Sequence, residues 1–100
     1  MKNKSNETKN IRLNELKNIG KTIEKRLNEI EIYTKEDLEN TGPVEAFKKI
    51  KENNPGKTIP VCYYLYSFEG ALTDKQWNDI PQKTKEYLLK KIGKYNAGTI

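Results

Sequence analysis

The chain has 100 residues, with 19 Lys or Arg against 14 Asp or Glu, a net charge of +5 and 34% hydrophobic residues. A chain of this length buries about 65% of the surface it exposes when unfolded, enough for one core and not for two, so a large enzyme with its own cofactor domain is excluded. There is no His, which removes the usual neutral-pH acid/base and the commonest zinc ligand. The one Cys, Cys62, closes no intrachain disulfide and builds no four-sulfur zinc site. Its solitary state fits a reducing, cytoplasmic compartment. The longest apolar run, Val61 to Tyr66, falls far short of the roughly 20 residues that cross a bilayer. No signal-like apolar stretch follows Met1 to Asn6. These features lead to the expectation of a cytoplasmic binding module, not an enzyme, with no cofactor, no metal, no membrane contact and no small-molecule substrate.

The charge is unevenly spread. Residues 1–26 carry eight positive and three negative charges, residues 27–56 four and seven, and residues 57–100 seven and four. The excess therefore sits in the first quarter, as a localised anion-attracting patch requires. Residues 1–10 read as a frayed basic N-terminus, 11–95 as one helical domain and 96–100 as a tail. In chain order, Leu13 and Leu16 precede the Gly20 break, and Ile23, Leu27 and Ile30 follow it at i, i+4, i+7. This predicts two short amphipathic helices joined by a tight Asn18-Ile19-Gly20 turn. Thr34 with Asp37 forms a capping box that starts a brief helix through Leu38. Pro43 suits the first turn of the next helix, with Val44, Phe47 and Ile50 on one face, and Asn53-Asn54-Pro55-Gly56 ends it.

Val61 to Phe68 has strand-favouring residue types. Its period favours a helix, because Val61, Leu65, Phe68 and Leu72 fall at i, i+4, i+7, i+11 and no polar alternate face exists. Thr73 with Gln76 gives a second capping-box signal before a short turn that carries Trp77 and Ile80. Pro81 opens the last helix, whose Leu88, Ile92 and Tyr95 share a face and which Gly93 ends or enters. The expected fold class is all-α, five to six short helices in a helix-hairpin-helix (SAM-like) bundle.

Leu16 to Leu27 has the shape of the hairpin itself. In such a unit the second helix starts with its free backbone N–H groups turned outward, and these with the positive end of the helix dipole form a phosphate site that reads no base. Lys21 and Lys25 lie one turn apart on that helix, opposite its apolar residues. The candidate nucleic-acid-binding residues are Lys17, Asn18, Gly20, Lys21 and Lys25. Asn18 and Glu31 stand where nucleic-acid-binding hairpins often have Gly. Asn accepts a left-handed backbone readily, whereas Glu31 adds negative charge and leaves the local backbone choice open.

The run Leu16...Ile19-Gly20...Glu24...Leu27...Ile32...Thr34...Glu36-Asp37-Leu38...Gly42...Glu45-Ala46-Phe47, continued by Leu65-Tyr66...Phe68-Glu69-Gly70-Ala71-Leu72 and Trp77, resembles the C-terminal domain of the TfoX/Sxy family of competence and DNA-transformation regulators. The resemblance spans about residues 13–92 and implies an all-helical fold of the helix-hairpin-helix type. In the full-length relatives this domain sits beside a separate N-terminal α/β domain.

Other residues carry blander expectations. Cys62 is expected to be a small buried residue, since no base is present to make a thiolate. Of Tyr63, Tyr64 and Tyr66 at least one must reach the surface or a groove, where base stacking is one use and core packing with the phenol tip at water the more ordinary one, and Trp77 is expected to anchor the core. Glu36, Asp37 and Glu39 lack the spacing of a calcium loop and read as a solvated helix start. A second functional reading is a protein-interaction adaptor or homo-oligomer that presents the acidic 29–45 segment or the tyrosine-rich helix.

Overall fold

Helices form here where a helical apolar spacing follows a Gly or Pro break or, once, a capping Thr. In the computed structural model, which describes residues 11–93, these are α1 (Lys21–Glu29), α2 (Lys35–Thr41), α3 (Pro43–Asn53), α4 (Val61–Thr73) and α5 (Gln82–Lys91). Single 3-10 turns, η1 (Leu13–Glu15) and η2 (Trp77–Asp79), complete the helical content. The fold is all-α. Among the described residues the only β pairing is one isolated bridge between Arg12 and Thr34. The expected frayed start over 1–10, Tyr95 and the tail over 96–100 lie outside the described residues.

Three expectations hold in detail. The Thr34–Asp37 box is reciprocal, the Asp37 N–H donating to Thr34 Oγ1 at 3.2 Å and the Thr34 N–H to Asp37 Oδ2 at 3.2 Å. Pro43 occupies the first turn of α3, whose Ala46, Phe47 and Ile50 are buried. The segment Val61–Thr73 is a helix throughout. It is the centre of the molecule, with Tyr64 to Phe68, Gly70 and Ala71 buried and α2, α3, α5 and η2 packed around it. Such all-round burial erases the polar face that normally distinguishes a helix from a buried strand. Burial of Tyr66, beside the Cys62 side chain, pushes its phenol up to about 12.

Four expectations are corrected. The arm before Gly20 is a 3-10 turn of three residues rather than a helix. Arg12 is extended and bridged to Thr34, and the Lys35 N–H donates to the Ile11 carbonyl at 2.8 Å, so the chain enters η1 straight; Leu16 then leaves it extended, with ψ 151°. Thr73 starts nothing: it is the last residue of α4, and its hydroxyl donates to the Glu69 carbonyl at 2.9 Å. Asp74, left-handed at φ 61°, ends the helix instead. Cys62 is exposed, because it lies in the first turn of α4, before the buried part begins at Tyr64. Trp77 is 39% exposed and lies against Tyr63 at the surface instead of in the core.

Helix ends explain the positive φ of Glu31 and Gly42. Glu31 keeps the left-handed backbone at φ 65°. The Ile32 N–H reaches the Leu27 carbonyl at 2.9 Å and the Glu31 N–H the Asn28 carbonyl at 3.0 Å, the bond pair of a Schellman stop. Gly42, at φ 86°, ends α2 and begins α3 within one residue. At the far end of α3, buried Asn54 caps the Ile50 carbonyl at 2.7 Å and accepts from Arg26 Nη1 at 2.8 Å, which ties α3 to α1.

Candidate functional site

Five sequence-derived candidates converge on the turn that leads into α1. Asn18 is left-handed at φ 71°, Ile19 is buried, and Gly20 is extended and exposed. That sequence of conformations drives Ile19 into the core and turns the start of α1 outward. Gly20 supplies no side-chain cap, and nothing lies within 4 Å of where a Cβ on it would stand. The Glu24 N–H closes the first turn onto the Gly20 carbonyl at 2.9 Å. By helix geometry the N–H groups of the first turn have no intrahelical acceptor, and here Gly20, Lys21 and Thr22 at the helix start are all exposed.

The lysines differ in their freedom. Lys17 lies 3.5 Å from Asp74, and Lys25 lies 3.8 Å from Glu29 one turn further along α1. Lys21 is exposed and, among the described residues, has no carboxylate within ion-pair distance. Both ion pairs are solvent-exposed, so each is weak and screened by salt. Glu24 and Glu29 on α1 also lower the local potential. The anion-attracting groups are thus Lys21 and the helix start first, with Lys17 and Lys25 available on loss of weak pairs.

Asn18 has a different task from the lysines. Its Nδ2 donates to the Lys75 carbonyl at 2.9 Å and the Ser67 carbonyl at 3.3 Å, and its Oδ1 accepts from the Trp77 N–H at 3.0 Å. One side chain therefore joins the turn to α4 and to the loop before η2. Gly70 makes this possible, since a Cβ there would collide with the Lys75 carbonyl and the Asn18 amide nitrogen. The consequence is that Lys75, Trp77 and Tyr63 stand beside the turn. Sequence reasoning does not place them at this turn: Trp77 is expected in the core, and the signal that joins them is the Gly70 and Trp77 part of the family motif.

The TfoX C-terminal domain family matches residues 9–92. The chain belongs to that family. No curated protein matches it. Two crystal structures from Listeria monocytogenes are similar to it. The triclinic form, of an uncharacterized protein, has 35% identity and a TM-score of 0.68, covering 77% of this chain and 84% of that one. The tetragonal form, of a protein of unknown function, has 36% identity and a TM-score of 0.68, covering 78% and 93%. In this TfoX C-terminal domain, then, Gly70 is the residue on which the Asn18–Gly20 turn and the η2 loop close. Among its described residues no cluster of three His, Cys, Asp or Glu side chains is placed to hold a metal ion, and no helix is long and apolar enough to cross a membrane.

Proposed function

We propose that this domain is a binding module for nucleic acid, held through phosphates and without strong sequence preference, at the Gly20 start of α1. The observation that carries the reading is the open, uncapped start of a nine-residue helix beside Lys17 and the unpaired Lys21. Backbone N–H groups and the helix dipole favour an anion there, and lysine ammonium groups supply the long-range attraction. Residues 11–26, which lead into α1 and form its first six residues, carry five positive and two negative charges, and this excess supports the same end of the molecule. Asn18 contributes by holding the turn rather than by touching phosphate, because both ends of its amide are engaged within the fold. The role is one of binding, not catalysis, in a reducing cytoplasmic compartment.

A salt titration of duplex DNA binding tests this. Contact with a few phosphates gives a log-log slope of about −0.9 per contact, and Lys21→Ala lowers the magnitude of that slope by about one. Lys25→Ala and Lys17→Ala are expected to act less, since each cation is shared with a carboxylate. No binding at low salt, or binding indifferent to Lys21→Ala, overturns the reading. Light scattering at two salt concentrations distinguishes the adaptor alternative, in which the acidic 29–45 segment pairs with a second copy.

A further inference from the structure

Four large aromatic side chains are exposed among the described residues: Tyr33, Tyr63, Trp77 and Tyr87. Only Tyr63 and Trp77 touch each other, with ring centroids 5.2 Å apart and planes at 81°. The edge-to-face contact fixes the indole, and the Trp77 backbone is held in turn by Asn18. The chain therefore spends a tyrosine and its only tryptophan on a rigid pair at the surface, next to the turn that leads into α1.

What surrounds the pair narrows what can cover it. Thr73, Asp74, Lys75, Gln76, Asn78 and Asp79 are all exposed. Along Thr73 to Asp79 the surface beside the indole is therefore polar, while exposed Pro60 and Cys62 precede Tyr63 at the start of α4. What the two rings leave uncovered is aromatic, and it suits a flat aromatic partner group. Lys17, Lys21 and Lys75 lie on the segments that Asn18 joins, and of these only Lys17 is paired. A flat aromatic group attached to a phosphate chain meets both requirements. In a duplex the faces of each base are covered by its neighbours; an unpaired base offers its face to a ring.

We propose that the Tyr63–Trp77 pair stacks on an unpaired base while the adjoining lysines and the α1 start hold the backbone, so that the nucleic acid taken by this domain is single-stranded. The inference rests on the phosphate reading above and adds the state of the strand. Its reporter is built in, because Trp77 is the one tryptophan and all indole emission comes from the proposed site.

The experiment follows Trp77 emission and affinity at one salt concentration with three probes carrying equal numbers of phosphates. These are an oligodeoxythymidine, an abasic strand and a duplex. The expected result is quenching by the oligodeoxythymidine alone, which binds about five- to 150-fold tighter than the other two, the range that stacking of one base on an aromatic supplies. Trp77→Leu, checked for fold by circular dichroism, is expected to remove that advantage and leave abasic-strand binding unchanged. Equal binding of all three without change in Trp77 emission overturns the stacking and leaves the phosphate reading standing. No binding of any of them removes both. Should Trp77→Leu not fold, the three-probe comparison on the natural chain decides alone.

Discussion

Asn18 and Gly70 explain each other at the scale of single residues. Asn18 needs a left-handed backbone, φ 71°, to point its amide across to the Lys75 carbonyl and the Trp77 N–H, and Gly70 must lack a side chain for that amide to pass. Among non-glycine residues Asn tolerates this conformation best, and it alone combines the tolerance with a neutral donor and acceptor on one short side chain. A Gly at position 18, as nucleic-acid-binding hairpins often have, would keep the turn and lose the three bonds. The two roles can be separated by substitution. Asn18→Ala is expected to cost about 4 kcal/mol, from three hydrogen bonds worth roughly 1 kcal/mol each and about 1 kcal/mol of left-handed strain in alanine. Asn18→Gly is expected to recover about 1 kcal/mol of that. Gly70→Ala is expected to cost about 3 kcal/mol, since its methyl group meets the Lys75 backbone carbonyl, which cannot swing aside, as well as the Asn18 amide. Urea midpoints at constant slope measure all three. Identical losses for Asn18→Ala and Asn18→Gly would remove the backbone from the explanation.

Among the elements, the legible ones are those whose signal is local. Thr34 and Asp37 sit three apart before an apolar position, and the box they form depends on nothing distant, so the start of α2 could be read directly. The same applies to Pro43 at the start of α3. The Thr73–Gln76 pair has the same spacing and forms no box, because Gly70 and Asp74 had already committed Thr73 to the end of α4. The Lys75 N–H reaches back to the Gly70 carbonyl at 2.8 Å, and a stop of that kind overrides a start signal that overlaps it. The missing first arm of the hairpin has a tertiary cause, the bridge of Arg12 to Thr34, which no spacing of Leu13 and Leu16 announces. A consequence follows for the box. Thr34 caps α2 and also holds the incoming chain, and Asp37 accepts both the Tyr33 and Thr34 N–H groups, at 2.9 and 3.2 Å. Thr34→Ala is expected to cost about 1 kcal/mol, as an ordinary cap does. Asp37→Ala is expected to cost more, about 2 kcal/mol, because two backbone donors lose their acceptor. A thermal-melt comparison of the two variants checks the order, and an Asp37→Ala loss below that of Thr34→Ala would contradict it.

At the scale of the whole molecule, the candidate site is assembled from stretches that are far apart in the chain. Asn18 lies 49 residues from Ser67, 57 from Lys75 and 59 from Trp77. This is why the turn and its lysines were legible in the sequence and their neighbours were not: Gly20, Lys21 and Lys25 belong to one local pattern, whereas Tyr63 and Trp77 reach it only through the packing of α4 at the centre. Trp77, large and apolar, carries the sequence signature of a core residue, and only the placement of Asn18 reveals that it stands at the surface. The same long reach makes the site a property of the folded state as a whole. Leu65 and Phe68, on the helix that supports it, are 0% exposed, so loosening the core removes the floor under the aromatic pair. A domain of this size with one core unfolds as one unit. Trp77 emission and helical ellipticity at 222 nm are therefore expected to change with the same midpoint on heating. An earlier transition in emission would instead mean that the Asn18 junction opens locally while the helices persist. In that case Gly70→Ala should move only the earlier transition. With a single cooperative unit, it lowers both midpoints together.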